Sequence, residues 1–269
     1  MSDAGAVSHS DAPSFDVRVP LVPATTYDPG PGVGDWYPPV MIGAPAIGEQ
    51  LLARGYVEDA IALLEQLTPD DYSIYLLGYY REGLRRFEDR WRYADIVTVL
   101  LCLSDVLRPS RYLEIGVRRG RSVAAVAARA PKCSLTMFDL WMPNYAGMGN
   151  PGAAFVAGEL VRIGHEGDTE FVDGDSRVTL PEYFAKNREA TFDLITVDGD
   201  HSEEGALFDL ETVLPRLAIG GAIVFDDVCH PSHPWLADLW GRLVTSSPRF
   251  SSFTFTDSGY GVGFAIRRY

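Results

Sequence analysis

Lysine is almost missing from this chain of 269 residues, which holds only Lys132 and Lys186 among its 23 basic residues. Acidic residues number 37, so the formal net charge is −14 at pH 7. Such a surplus of negative charge disfavours binding to the phosphates of nucleic acids and to anionic membrane surfaces. We therefore expect neither a nucleic acid nor a membrane as a partner.

Cysteines and long apolar stretches are also scarce. Cys102, Cys133 and Cys229 are far apart and odd in number, so they predict neither a disulfide framework nor a zinc site. The longest apolar stretch, residues 96–103, includes a threonine and is too short to span a bilayer. The first residues lack the basic and then apolar pattern of a secretory signal. Together these absences predict a cytoplasmic protein, with enough apolar residues for a large core.

Residues 1–45 predict an extended and partly disordered N-terminal arm. The first residues are small and polar, and apolar residues alternate over 15–21, as in extended chain. Several prolines and glycines then predict an irregular loop that contains Trp36 and Tyr37. These two aromatic residues either pack on their own domain or cover a ligand site or a neighbouring subunit.

Residues 46–109 predict a helical block. Apolar residues recur at helical spacing between Tyr56 and Leu67, and residues 91–107 predict a strongly apolar helix that Pro109 ends. The sequence leaves three roles open for this block, which are a lid, an oligomerisation segment and a simple covering layer.

Residues 110–269 alternate between strand and helix patterns, which predicts an α/β domain with a parallel sheet. We expect Gly220 and Gly221 to close the helix before the fifth strand. The last two strands, joined through 257–260, predict an antiparallel hairpin. The expected fold is a mostly parallel sheet of seven strands, at 111–115, 134–139, 169–173, 193–198, 221–226, 250–256 and 261–267.

A glycine turn follows the first of these strands. Gly116 and Gly120 bracket the turn, and Ser122 begins an alanine-rich helix. Glycines let a backbone approach a ligand closely, and a helix N-terminus offers free N–H groups. Glu114, directly before the turn, suits a ligand that carries an amino or sulfonium group. The spacing G-x-x-x-G differs from the G-x-G-x-x-G of dinucleotide sites, and it also occurs where a helix merely packs close to a strand.

Acidic residues follow the second and third strands at the edge of the sheet where open α/β folds bind ligands. Asp139 ends the second strand and can accept hydrogen bonds from a ribose diol. Asp175 and Ser176 follow the third strand and can reach an adenine ring. The alternative for such residues is helix capping.

The acidic residues at the ends of the fourth and fifth strands indicate a functional site more strongly than those after the second and third. Asp198 follows one strand, and Asp226 and Asp227 end the other, so three carboxylates converge at one edge of the sheet. They would repel one another unless a divalent cation such as Mg²⁺ joined them. Asp226 and Asp227 can share an ion only if the strand breaks between them, because successive side chains point to opposite faces. His201 is the expected general base. The alternatives are solvated acids and a surface histidine.

Two further groups lie near this edge. His230 and His233 follow the fifth strand, and they either bind metal or lie exposed on a loop. An apolar set after the second strand forms either a mobile lid or part of the core. That set comprises Trp141, Met142, Tyr145 and Met148.

Three segments carry a family resemblance. LEIGVRRGRS (113–122) resembles the first motif of the class I S-adenosylmethionine-dependent methyltransferases. DLITVDGDHS (193–202) and GGAIVFDD (220–227) resemble the subgroup of the macrocin and mycinamicin sugar O-methyltransferases and the cephalosporin-cluster methyltransferase. The likeness covers roughly residues 110–267. It implies a Rossmann-like domain that binds S-adenosylmethionine over residues 110–269, and it leaves the first 100 residues unmatched.

The resemblance also implies roles for single residues. The methionine part of the cofactor would contact Glu114, Gly116, Gly120 and Ser122, the ribose would contact Asp139, and the adenine would lie near Asp175 and Ser176. Asp198, Asp226 and Asp227 would bind Mg²⁺, and His201 with Asp198 would form the catalytic pair. The subgroup implies a homodimer or a homotetramer.

The resulting hypothesis is O-methylation of a hydroxyl on a small-molecule acceptor, a secondary metabolite such as a glycosylated natural product. One alternative is a metal-independent methyltransferase acting on a carboxylate, amine or phenol with His201 as base. Another is a cofactor-binding partner protein without turnover. A nicotinamide-dependent oxidoreductase ranks last, because the second glycine of its motif is missing.

Overall fold

The computed structural model describes residues 24–27, 39–144 and 149–269. Within these ranges seven strands form one sheet: β1 (Arg111–Ile115), β2 (Ser134–Asp139), β3 (Thr169–Asp173), β4 (Phe192–Val197), β5 (Leu217–Asp226), β6 (Phe250–Phe255) and β7 (Val262–Arg267). Their order is β3-β2-β1-β4-β5-β7-β6. The first five strands are parallel, and β7 is antiparallel to both β5 and β6. The predicted Rossmann-like, mostly parallel sheet with its C-terminal hairpin is confirmed.

Helices cover both faces of the sheet. They are α1 (Ala44–Leu51), α2 (Arg54–Leu64), α3 (Asp71–Phe87), α4 (Ile96–Leu107), α5 (Arg121–Arg129), α6 (Ala153–Arg162), α7 (Ser176–Lys186), α8 (Glu203–Val213) and α9 (Trp235–Trp240). Helices α1 to α6 contribute to the buried core on one face, and α7, α8 and α9 form the core on the other. Because the central strands are covered on both sides, ligands can reach them only at their ends.

The predicted helical block is present, and its helices share one core with the sheet. Two capping boxes fix where helices begin. Asp70 accepts a hydrogen bond from the N–H of Ser73 before α3, and Asp95 accepts one from the N–H of Thr98 before α4. The prediction that the fourth helix starts at residue 91 was therefore wrong, since the Asp95 cap starts it at Ile96. The role of the block as a lid or an oligomerisation segment stays a prediction.

Gly220 and Gly221 lie inside β5, so the prediction that they close a helix was wrong. Helix α8 ends at Val213, and a short 3₁₀ turn with Pro215 leads into the strand. A Cβ atom on Gly221 would lie 2.7 Å from the carbonyl oxygen of Asp193, and the φ angle of Gly220 is +77°. The two glycines permit the irregular register between β4 and β5 at this point.

Little of the predicted N-terminal arm falls within the described ranges. Thr26 forms an antiparallel bridge with Val40, and the hydroxyl of Thr25 donates to the carbonyl of Gly220. The predicted extended segment 15–21 and the aromatic residues Trp36 and Tyr37 lie outside the described residues. Across the described ranges, none of the helices combines the length and apolar character needed to cross a membrane.

Candidate active site

The ends of β1 and β4 lie side by side and bring the glycine turn next to the acidic loop. The N–H of Asp198 donates to the carbonyl of Ile115 at 2.9 Å, and the N–H of Gly116 donates to the carbonyl of Phe138 at the end of β2. Both contacts continue the parallel ladder by one residue beyond the strands. The predicted cofactor loop and the predicted metal loop therefore share one edge of the sheet.

Gly116 and Gly120 are required by packing within the chain. Both have left-handed backbone, with φ angles of +92° and +74°. A Cβ atom on Gly116 would lie 1.9 Å from the carbonyl oxygen of Asp198, and one on Gly120 would lie 2.8 Å from Cγ1 of Val156 in α6. The space beside these glycines is thus filled by neighbouring protein atoms, and their contact with a cofactor stays a prediction.

Glu114 is completely buried beneath the glycine turn. Its carboxylate accepts hydrogen bonds from the hydroxyls of Tyr112, at 2.5 Å, and of Ser122 in the first turn of α5. Burial raises the pKa of Glu114 to about 8, with smaller contributions from Asp198 and Asp139. The carboxyl group therefore stabilises the turn through these hydrogen bonds. Direct contact of Glu114 or Ser122 with a ligand stays a prediction.

Asp139 joins two loops at the end of β2. Its Oδ2 accepts from the N–H of Arg118 at 2.6 Å, and its Oδ1 accepts from the N–H of Trp141 at 2.5 Å. The indole of Trp141 in turn donates to Asp173 at 2.6 Å. Asp139 is thus held at the rim of the glycine turn. Binding of the ribose by Asp139, as predicted, would put the nucleoside at this rim.

Asp175 caps α7, as the alternative interpretation expected. Its carboxylate accepts from the N–H of Arg177 at 2.9 Å and forms an ion pair with the same side chain. The hydrogen bonds from Arg177 lower the pKa of Asp175. Ser176 is the first residue of that helix. Contact of either residue with an adenine ring stays a prediction.

Three side chains converge beyond β4 and β5. One ligand atom each from Asp198, His201 and Asp227 lies within 4.8 Å of the other two. Nε2 of His201 is 3.2 Å from Oδ1 of Asp198, and its Nδ1 is 3.5 Å from Oδ2 of Asp227. The φ angle of Asp227 is +58°, so the extended chain ends at Asp226 and the next side chain turns toward the cluster.

Charge accumulates at this cluster. Burial, then Asp198, raises the pKa of Asp227 to about 6. Burial and the charges of Asp198 and Asp227 raise the pKa of Asp226 well above its usual value. Burial alone would lower the pKa of His201, but its hydrogen bond to Asp198 raises it above the ordinary value. Such uncompensated acids with oxygen donors fit a hard divalent cation. Asp226 lies outside the set of three, and its role as a ligand stays a prediction.

Aromatic side chains line the cluster on one side. The ring of His233 lies 5.7 Å from that of His201, the ring of His230 stacks against His233, and the indole of Trp235 donates to the carbonyl of His201 at 2.8 Å. His230 and His233 are partly buried in a loop whose residues Cys229, Pro231 and Ser232 are exposed, and a metal-binding role for the two histidines stays a prediction. Of the predicted lid, Met142 is largely exposed, and Tyr145 and Met148 lie outside the described residues.

The sequence interpretation missed a set of contacts between the N-terminal block and the residues on either side of Gly120. Asp70 forms ion pairs with Arg119 at 3.0 Å and Arg121 at 3.5 Å, and the guanidinium of Arg121 lies 4.6 Å above the ring of Tyr72. The available signal was the pair of arginines inside the glycine turn, Arg118 and Arg119, with Arg121 directly after the turn. The partner of Arg119 and Arg121 could not be read from the sequence, because Asp70 lies about fifty residues earlier and its local pattern indicates only a helix cap.

Comparison with known proteins agrees with this geometry. Residues 113–228 match a protein-family profile described as a methyltransferase domain. No curated protein matches the chain. The matched segment begins in β1 and ends just after Asp227, so it contains the glycine turn and the acidic cluster.

Several solved structures share the fold. A TDP-rhamnose 3′-O-methyltransferase of calicheamicin biosynthesis is 23% identical, with a TM-score of 0.50 over 79% of this chain and 93% of that one. The O-methyltransferase TomG from Streptomyces achromogenes, involved in tomaymycin synthesis and solved with SAM, is 20% identical, with a TM-score of 0.51 over 76% and 92%. An O-methyltransferase from Bacillus cereus, solved with SAH, is 17% identical, with a TM-score of 0.51 over 75% and 93%. The likeness to class I methyltransferases inferred from the motifs is confirmed.

Proposed function

We propose that this chain, whose residues 113–228 match a methyltransferase-domain profile, is an S-adenosylmethionine-dependent and Mg²⁺-dependent O-methyltransferase of natural-product biosynthesis. The observation that carries the proposal is the convergence of Asp198, His201 and Asp227 beside the glycine turn. A sugar hydroxyl on a glycosylated natural product is the first acceptor to test, because one structural relative is described as a sugar-nucleotide O-methyltransferase.

The residues of the site have separable tasks. When bound, S-adenosylmethionine supplies an electrophilic methyl group, and Mg²⁺ lowers the pKa of the acceptor hydroxyl as a Lewis acid. Asp198 and Asp227 hold the cation, with Asp226 as the predicted third carboxylate. His201 is the group that takes the acceptor proton, and its two ring nitrogens face Asp198 at 3.2 Å and Asp227 at 3.5 Å. Glu114, Gly116, Gly120 and Ser122 shape the methionine end of the cofactor site, Asp139 binds the ribose, and Asp175 with Ser176 borders the adenine.

Two other functions fit parts of the same geometry. In a metal-independent methyltransferase acting on a carboxylate, amine or phenol, His201 alone would act as base. In a partner protein without turnover, the cofactor site would remain and the N-terminal helices would serve assembly. The carboxylate pair on either side of His201 favours the metal-dependent function, because a base alone needs no second buried acid.

Incubation with methyl-labelled S-adenosylmethionine tests these functions together. The purified chain is mixed with sugar-nucleotide, glycoside, phenol and carboxylate acceptors, with Mg²⁺ or with EDTA. The proposal expects transfer to a hydroxyl acceptor that EDTA abolishes and Mg²⁺ restores. Transfer that EDTA leaves unchanged supports the metal-independent enzyme. Cofactor binding without transfer to any acceptor supports the partner protein.

The proposal also covers the location and the assembly of the protein. We propose a cytoplasmic protein that assembles as a homodimer or a homotetramer. Light scattering of the eluting protein tests the assembly, since a monomer at all concentrations would contradict it.

A further inference from the structure

Asp209 in α8 is a buried acid whose carboxyl group makes no hydrogen bond. The residue is 0% exposed, and neither carboxyl oxygen has a hydrogen-bond partner in the part of the chain that the structure describes. The other buried acids there, Glu114, Asp139, Glu159 and Asp193, all accept hydrogen bonds. A buried polar group without a partner is costly, so Asp209 calls for an explanation.

The carboxyl group of Asp209 lies against the loop that joins β4 to α8, residues 198–202, which we call the acidic loop. A Cβ atom on Gly199 would lie 3.1 Å from Oδ2 of Asp209 and 2.9 Å from Cγ2 of Ile115 at the end of β1. Gly199 is thus held between the last residue of β1 and the side chain of Asp209. A glycine is needed here because the backbone approaches both neighbours so closely.

The acidic loop carries both the first carboxylate and the histidine of the site. Asp198 directly precedes Gly199, and His201 follows by two residues, with its Nε2 3.2 Å from Oδ1 of Asp198. The loop is tied at its two ends, where the N–H of Asp198 donates to β1 and the carboxylate of Asp200 accepts from the N–H of Ser202. Between these ends, the backbone of Gly199 makes no hydrogen bond to any described residue. An unpartnered carboxyl group and an unpartnered stretch of backbone therefore lie side by side.

Near neutral pH the carboxyl group of Asp209 can carry a proton. Burial is the main cause that raises its pKa to about 7, with help from Asp200 and Asp175 and against Arg177 and the hydroxyl of Ser176. That hydroxyl, on the first residue of α7, is near Asp209 but is not aligned for a hydrogen bond. A protonated carboxyl group offers both a donor and an acceptor, so it can bind a backbone group on one side and a hydroxyl on the other.

We propose that Asp209 is a positioning residue for the acidic loop. In the ligand-bound loop, its carboxyl group hydrogen-bonds to the backbone at Gly199 and to the hydroxyl of Ser176, and these bonds set the spacing of Asp198 and His201. The inference rests on the proposed function, because it assigns Asp209 a task toward the cation ligand and the base.

Three substitutions separate positioning from the mere filling of space. Asp209→Asn keeps a donor and an acceptor, Asp209→Leu keeps the branched shape without either, and Asp209→Ala adds no bulk. We expect the leucine and alanine variants to weaken Mn²⁺ binding about 10- to 100-fold, as the loss of supporting residues does at metal sites. Electron paramagnetic resonance measures this binding. The affinity for S-adenosylhomocysteine should stay unchanged, and the asparagine variant should bind Mn²⁺ nearly as tightly as wild type.

A second measurement needs neither metal nor cofactor. Amide hydrogen exchange of residues 199–201 in the metal-free chain, followed by mass spectrometry, should be faster in the leucine and alanine variants and unchanged in the asparagine variant. Glu211→Leu, which replaces an exposed acid of the same helix, is the control and should alter neither readout. Asp209→Ala also serves if the leucine variant does not fold.

The outcomes distinguish failure of this inference from failure of the proposed function. Lower stability in urea with unchanged Mn²⁺ affinity and unchanged loop exchange would make Asp209 a structural residue only and overturn the inference. An asparagine variant as impaired as the leucine variant would overturn it as well. A wild-type chain that binds no Mn²⁺ would overturn the metal-dependent function itself, and loop exchange would then still show whether Asp209 holds the loop.

Discussion

Gly116 and Asp198 are so close that a Cβ atom on Gly116 would lie 1.9 Å from the carbonyl oxygen of Asp198. One residue belongs to the glycine turn and the other to the acidic cluster, so the two halves of the site are fixed against each other. The hydrogen bond from the N–H of Asp198 to the carbonyl of Ile115 fixes the same junction. Positioning of two reactants is a large part of catalysis, so under the proposed function this junction would set the separation of cofactor and acceptor.

Gly116→Ala should damage both halves of the site at once. The new methyl group meets backbone that cannot move aside, and the φ angle of +92° disfavours any side chain. We expect a loss of stability of about 2 kcal/mol or more, with weaker binding of S-adenosylhomocysteine and of Mn²⁺. Urea unfolding and calorimetry measure these effects. Gly78→Ala in α3 is the control, since no atom lies within 4 Å and helix propensity predicts a gain of about 0.5–1 kcal/mol.

Gly120→Ala should be destabilising for a reason that a second substitution can partly remove. The added Cβ would lie 2.8 Å from Cγ1 of Val156, and the left-handed backbone adds strain. We expect a cost of about 1–3 kcal/mol. Val156→Ala alone should also destabilise, but the double variant should be more stable than the sum of the two costs predicts. Strict additivity in urea unfolding would contradict the contact between α6 and the turn.

Glu114 should make stability fall with rising pH. Its pKa of about 8 in the folded chain lies above that of an unfolded glutamate, so the folded state keeps a proton that the unfolded state has lost. This contribution is present below the unfolded pKa and disappears as the pH rises through the folded pKa. Glu114→Gln removes the titration. The free energy of unfolding of wild type should therefore exceed that of this variant by less and less as the pH rises from about 5 to about 8. An advantage that is constant across this range would contradict a buried, protonated Glu114.

His201→Gln should separate proton transfer from binding. Removing the base should lower kcat by about 10² to 10⁴. The affinity for S-adenosylhomocysteine should hardly change, because His201 lies with the acids beyond β4 and β5. His165→Gln, before β3 at the opposite edge of the sheet, should leave kcat unchanged. Full activity of the His201 variant would show that His201 is not the general base.

Much of the site follows from the order of the strands. Parallel strands end at one edge, so acids after β4 and β5 had to meet there, and Asp198 and Asp227 do. The sequence also indicated that Asp226 and Asp227 could share an ion only if the strand broke between them; the left-handed Asp227 supplies such a break, although Asp226 lies outside the set of three. These features depend on local pattern and on rules of chain direction.

Other features depend on packing between distant segments. The ion pairs of Asp70 with Arg119 and Arg121 join a helix cap to a turn across a sequence gap that no periodicity spans. Gly220 and Gly221 resemble a helix end locally, yet they adjust the pairing of β4 and β5. The start of α4 at Ile96, by contrast, is a local feature, because Asp95 and Thr98 form a capping box directly before the apolar run.

Binding of Mn²⁺, followed by electron paramagnetic resonance in the presence of S-adenosylhomocysteine, tests the central claim most directly. The wild-type chain should bind one ion at the cluster. Asp198→Asn and Asp227→Asn should each weaken it at least about tenfold, since the loss of a mere supporting residue already costs about 10- to 100-fold at metal sites. Asp89→Asn, at an exposed acid of the N-terminal block, should have no effect. Failure of the wild-type chain to bind Mn²⁺, or equal affinity in the Asp198 variant, would contradict the account.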